Sequence, residues 1–158
     1  MALDSSRKVV AALNGLLMTE LTAINQYFLH YKMCQSWSLD GLAQRFKDAS
    51  YEEMRDAEKL AERILDLNGL PNLQRLGSFG VGETALEQLR LALELEVGAV
   101  AQLTEAITAV EQEKDLATAS LLRELIVEEA KQVAWLEAQL ELAEKVGEQN
   151  YLALQAKV

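Results

Sequence analysis

Apolar residues recur at alternating steps of three and four along four long stretches of the chain, the spacing that puts one face of an α-helix into a core. The first helix is predicted at about 6–36, with Val10, Leu13, Leu17, Glu20, Ile24, Tyr27 and Tyr31 on one stripe. The second, about 41–68, carries Phe46, Ala49, Glu53, Asp56, Leu60, Ile64 and Leu67. The third, about 83–112, reads Leu86, Leu89, Leu93, Glu96, Val100, Leu103, Ile107 and Val110. The fourth, about 115–145, reads Leu122, Leu125, Glu129, Gln132, Leu136, Leu140 and Ala143. Gly147 reads as a helix stop, with one more short helix over about 148–156.

Punctuation between the stretches sets the topology. Pro71, the only proline, and Gly69, Gly77, Gly80 and Gly82 mark Asn68 to Gly82 as the one long connection. Links near 37–41 and 112–115 are short, so helices one–two and three–four are expected as antiparallel hairpins. The long segment must then cross the bundle to join them, which predicts an all-α four-helix bundle with a single crossover. Helices of some 30 residues would each be about 45 Å long, leaving much side surface for partner chains. The whole chain, 1–158, is expected to be one domain.

Each stripe contains a glutamate where its neighbours are apolar: Glu20, Glu53, Glu96 and Glu129, at spacings of 33, 43 and 33 residues. The equal outer spacings mean that the second half of the chain repeats the arrangement of the first. An ionised carboxylate is costly among apolar groups unless paired or bound to metal, so four converging glutamates point to a buried metal site. In carboxylate-bridged two-metal bundles, two helices give one Glu each and the other two give Glu-x-x-His. Here the i, i+3 positions, which leave a helix on one face, hold Asp56 after Glu53 and Gln132 after Glu129. Both nitrogen ligands are missing from this frame. Oxygen-only donors favour hard ions such as Mg, Ca or Mn.

The remaining chemistry-bearing residues are few. The single histidine, His30, lies beyond the centre of its stripe, and its i−4 neighbour Gln26 predicts an ordinary hydrogen bond. The lone Cys34 excludes an internal disulfide and reads as a small buried hydrophobe. Met54 follows Glu53 by one position and so points about 100° away from the core stripe. Leu21, Asn25, Phe28 and Tyr51 can share that outer face with it, a face suited to a flat aromatic ligand or a partner chain; a thioether is an axial ligand of haem iron. The net charge of −10 argues against nucleic acid as a partner. Half the residues are hydrophobic, yet no apolar run approaches the ~18–20 residues of a membrane span. MALDSSRKVV lacks an apolar signal core and reads as a cytoplasmic start.

These residues resemble the bacterioferritins from end to end. The likeness is carried by ELTAINQYFLH from Glu20, EEMRDAEKLAERILDLNGLPNLQRLG from Glu52, LALELE ending at Glu96, and VAWLEAQLELAEKVGEQNYL from Val133. The resemblance implies a ferritin-like subunit of a hollow 24-subunit cage that oxidises ferrous iron and stores it as ferric mineral. It implies haem b on a subunit two-fold axis with Met54 as axial ligand, and a ferredoxin-type redox partner. Glu20, Glu53, Glu96 and Glu129 match the family's carboxylate ligands, whereas Asp56 and Gln132 stand where the family has histidines. Asp48 stands where many members have a histidine on the cavity wall, with Glu52 beside it, and Lys47 replaces an aromatic near the haem. The expected function is therefore a haem-binding iron-storage subunit with an impaired ferroxidase centre, suited to a mixed cage. An active ferroxidase using a carboxylate-rich di-iron site is the alternative. A third reading is a purely structural shell protein whose glutamates pair with Lys131 or Lys59.

Overall fold

The computed structural model describes residues 2–156; residues 1, 157 and 158 of the expected domain lie outside the described residues. Its elements are α1 (Ala2–Ser36), α2 (Asp40–Asp66), α3 (Ala85–Gln112), α4 (Leu116–Val146) and the short α5 (Glu148–Gln155). No strand occurs among the described residues. Side-chain pairings fix the directions. Ser50 bonds to Ile24, and Cys34 and Thr19 bond to Gln88 and Gln102, so α1 runs antiparallel to both α2 and α3. Arg45 reaches Gln132 while Arg63 reaches Asp115, which sets α2 antiparallel to α4.

The helix ends are set by local chemistry. Ser38, Asn68 and Lys114 all adopt φ near +60°. At each, the following N–H bonds back to the carbonyl five residues earlier: Leu39 to Cys34, Gly69 to Ile64 and Asp115 to Val110. This is the left-handed closure in which glycine is commonest, here built on serine, asparagine and lysine. It ends α2 at Asp66, slightly short of the predicted 68. Thr84 caps α3 by accepting from the Glu87 N–H at 3.2 Å, moving its start from the predicted 83 to Ala85. Asp115 caps α4 through the Thr118 N–H at 3.0 Å and also pairs with Arg63 at 3.2 Å. Gly147, at φ +86°, separates α4 from α5, and α5 docks through buried Tyr151, whose hydroxyl donates to Gln139.

The crossover is pinned along α1 at steps of eight residues. Asn14 accepts from the Asn72 N–H, Thr22 from the Gly77 N–H and His30 Nε2 from the Gly82 N–H at 3.0 Å. His30 therefore binds the crossover rather than Gln26, whose Nε2 has no partner. Close approach explains Gly82, since a Cβ there would lie 2.6 Å from the Gln88 backbone nitrogen.

Two apolar clusters fill the bundle. One gathers Tyr27, Phe46, Leu42, Leu89, Leu136 and Tyr151; the other gathers Leu13, Leu17, Leu60, Ile64, Leu103 and Leu122. Burial of each large aliphatic side chain stabilises by about 1.5–3 kcal/mol. Along α3 the buried seam is a seven-residue repeat, Ala85, Ala92, Ala99 and Ala106 alternating with Leu89, Glu96, Leu103 and Val110. The bulkier Leu86, Leu93, Val100 and Ile107 of the predicted stripe are only half-buried. Small alanines let neighbouring backbones approach, so the larger side chains fall to the seam's margin. The four glutamates lie between the two clusters on every helix.

Candidate metal centre

Glu20, Glu53, Glu96 and Glu129 are 1–5% exposed, so the repeated spacing does bring four carboxylates into the interior. One oxygen from each of Glu20, Glu53, Asp56 and Glu129 lies within 4.8 Å of the other three. Among the described residues no Lys or Arg forms an ion pair with this set: Arg63 pairs with Asp115, and Lys131 bonds to exposed Glu128. The purely structural reading thus loses Lys131 as a counter-ion. Lys59 lines a cavity of about 230 Å³ together with Glu52, Glu53, Asp56, Glu128 and Glu129.

Removal from water is the main force on these groups. Burial pushes the Asp56 carboxyl up to about 6, with nearby Lys59 pulling the other way. Burial and neighbouring carboxylates take Glu96 to about 8 and Glu129 to about 10, and hold Glu20 and Glu53 well above the ordinary range. Protons shared among the carboxylates offset part of the repulsion, and a divalent cation does the same job better. Glu20 Oε2, Glu96 Oε2 and Glu129 Oε2 are buried with no hydrogen-bond partner, an expensive arrangement for which a cation is the natural remedy.

The other side of the cluster carries a chain of hydrogen bonds. The Arg45 guanidinium donates to Gln132 Oε1 at 3.4 Å, Gln132 Nε2 donates to the Tyr27 hydroxyl at 3.2 Å, and Tyr27 donates to Glu96 Oε1 at 2.8 Å. Arg45 also stacks over Trp135, 4.3 Å from its ring centroid. Both ends of the Gln132 amide are thereby engaged with protein groups. Sequence reasoning placed Tyr27 on the core stripe without a role for its hydroxyl, and it missed Arg45. The available signal was spacing: Tyr27 is two helical turns from Glu20, and Arg45 three turns from Asp56.

Other predicted residues lie elsewhere. Met54 is 46% exposed on α2, with Tyr51 and Phe28 more than half exposed and Asn25 also exposed; Leu21 is half-buried against the second apolar cluster. Lys47 sits 5.9 Å from the Tyr51 ring centroid and 5.7 Å from that of Tyr31. Asp48 is exposed and accepts from Gln44. His30 is buried away from the carboxylates, and burial lowers it to about 4. Burial pushes the Cys34 thiol up to about 12, and its Sγ contacts Gln88 at 3.1 Å.

The family model of the ferritin-like domain matches residues 10–146, spanning all four long helices and the glutamate layer. Bacterioferritin of Mycobacterium tuberculosis is 43% identical over 145 residues, covering 92% of this chain and 91% of the relative. The chain belongs to the bacterioferritin family. Bacterioferritin of Streptomyces coelicolor is 40% identical over 146 residues, with 92% and 87% covered. That of Brucella melitensis is 37% identical over 149 residues, with 94% and 92% covered. Bacterioferritin likeness therefore extends across bundle and crossover alike. Among the described residues no helix is long and apolar enough to cross a membrane.

Proposed function

We propose that this chain, as a single ferritin-like domain over 1–158, is an iron-storage subunit that binds haem b through Met54 and has an impaired ferroxidase centre. Family membership supports iron storage in a 24-subunit cytoplasmic cage, with ferrous iron as cargo. The observation that carries the impaired centre is the donor set. Glu20, Glu53, Asp56 and Glu129 converge through oxygen alone, Glu96 is held by Tyr27, and Gln132 spends its amide on Tyr27 and Arg45. The only histidine is committed to the crossover. Without imidazole the layer favours harder ions than a nitrogen-containing site would.

Haem would sit on the outer face of α1 and α2 in this reading. The Met54 thioether and the rings of Tyr51 and Phe28 are exposed, as is Asn25, while Leu21 is half-buried, and exposed apolar groups of this kind mark binding surfaces. Met54 of two copies of the chain would hold the haem iron through thioether sulfur, with Leu21, Asn25, Phe28 and Tyr51 as surroundings. When bound, haem would supply one-electron transfer, with Met54 holding its iron. A ferredoxin-type protein is the redox partner in this reading. A subunit with haem but a weak oxidising centre suits a cage shared with a second bacterioferritin subunit that oxidises iron. Haem reconstitution of the pure protein tests the assignment, and a spectrum without bis-methionine features would overturn it.

Proximity of the Asp56 carboxylate to Glu20, Glu53 and Glu129 favours one second reading, an active ferroxidase with a carboxylate-rich di-iron site. It predicts two metals in the bundle of a ferrous-soaked crystal, and a map with none would end it.

A further inference from the structure

Lys47, Tyr51 and Met54 follow one another on α2 at i, i+4 and i+7, so they share one outward stripe. On α1, Phe28 and Tyr31 meet edge to face with 6.2 Å between ring centroids. The Lys47 ammonium joins the two helices, 5.9 Å from the Tyr51 ring centroid and 5.7 Å from that of Tyr31.

Lys47 is half-buried and, among the described residues, makes no ion pair. The chain has 25 acidic side chains against 15 basic ones, so a carboxylate partner would be easy to supply. Asp40 lines the same hollow with Gln35 and Gln44 but does not pair with it, and the neighbouring Asp48 accepts from Gln44. Lys32, the other lysine over Tyr31, donates to Gln35 at 2.6 Å. One cation of this face is thus held over aromatic rings with its charge unpaired. A surface that takes haem needs an apolar bed, an iron ligand and a counter-charge for the two propionates. Phe28 with Tyr51, the Met54 thioether and Lys47 fit these needs in turn.

We infer that Lys47 is the anion-binding residue of this face, its ammonium pairing with a propionate carboxylate of haem held through Met54. The inference rests on the reading of Met54 as the haem ligand and adds the residue that selects for haem's acidic edge. Lys47 stands two helical turns from Met54, about 10.5 Å along the axis, the scale on which a haem extends from iron to propionate. Two-fold symmetry sets the number of partners. An isologous pair of chains repeats every residue across its axis, and an axis through the iron in the plane of the ring exchanges the two propionates. Each copy would therefore supply one Lys47 for one carboxylate.

Haem b and its dimethyl ester, which keeps ring and iron and lacks both carboxylates, are the probes. The assembled protein, freed of haem, is titrated with each, and uptake is followed by the visible absorption band, with Met54→Leu as the baseline for adventitious binding. Lys47→Gln removes the charge and Lys47→Arg keeps it; both are first checked for unaltered circular dichroism and assembly. The unmodified protein should bind haem b about tenfold more tightly than the ester, since a partly exposed ion pair contributes up to about fivefold and two act together. Lys47→Gln should lose that preference by weakening haem b alone, and Lys47→Arg should restore it, all three keeping the bis-methionine spectrum. A spectrum without bis-methionine features in the unmodified protein would overturn the haem reading and this inference with it. With that spectrum present, three results would overturn the role of Lys47 alone: no preference for haem b in the unmodified protein, a preference intact in Lys47→Gln, or equal weakening of haem b and ester.

Discussion

The Tyr27 hydroxyl donates to Glu96 Oε1 across 2.8 Å, joining α1 to α3 inside the layer that separates the two apolar clusters. Tyr27 is fully buried, so this contact has no water to replace it. Gln132 donates to the same hydroxyl, and Arg45 supports Gln132. One hydroxyl thus ties together Glu96 on α3 and Gln132 on α4.

Tyr27→Phe keeps the ring and removes only that oxygen. Glu96 and Gln132 then each lose a buried partner, and an unsatisfied buried group costs about 1–3 kcal/mol. Thermal unfolding of the metal-free protein should therefore begin several degrees lower, with helix content unchanged at low temperature. An unaltered melting curve would show that the bond contributes nothing.

The pH dependence of stability has a definite sign. Glu96 at about 8 and Glu129 at about 10 are raised by burial, against ordinary glutamate values near 4.5. Between those limits the native chain binds more protons than the unfolded one, so stability falls as pH rises. It is fully present below about pH 4.5 for these two groups and is lost through the folded values. The midpoint of the metal-free protein should drop from pH 5 to pH 9, and saturating Mn²⁺ should flatten the slope by replacing protons with a cation. A midpoint that climbs over this range would contradict the assignment.

Met54→Leu tests the haem face. The side chain is 46% exposed, and its replacement preserves apolar bulk while deleting the sulfur. Haem uptake, followed by its visible absorption band after reconstitution, should fall to the level of adventitious binding, with melting behaviour and assembly retained. Full uptake with an unchanged spectrum would exclude Met54 as the ligand.

Asp115→Ala removes the cap of α4 and the partner of Arg63 together. Loss of such a cap costs about 0.5–2 kcal/mol, and the half-buried ion pair adds to it. Chemical denaturation should show a lower midpoint with an unchanged slope. An unshifted midpoint would mean that Arg63 and Thr118 satisfy the helix end without it.

Much of the fold was legible because its signals are periodic. Glu20, Glu53, Glu96 and Glu129 interrupt apolar stripes at repeated spacings, and Pro71 with its neighbouring glycines marks the crossover. Periodicity reports which face is inward, but not which inward residue is deepest, so the alanine seam of α3 was passed over for its larger neighbours. Hydrogen-bond choice was not legible either. Tyr27 looked like core, Arg45 gave no signal, and His30 looked like a partner of Gln26, since their actual partners come from other helices or the crossover. Gln132 shows the same limit: its place on the stripe was readable, but the direction of its amide depends on Tyr27 and Arg45.

Aerobic ferrous titration of the pure protein, followed optically beside the double variant Asp56→His/Gln132→His, tests the central claim most directly. The account predicts slow, unsaturating iron oxidation by the unmodified chain and a large gain in rate on restoring both nitrogen ligands. Rapid oxidation by the unmodified protein, saturating at two ferrous ions per subunit, would contradict it.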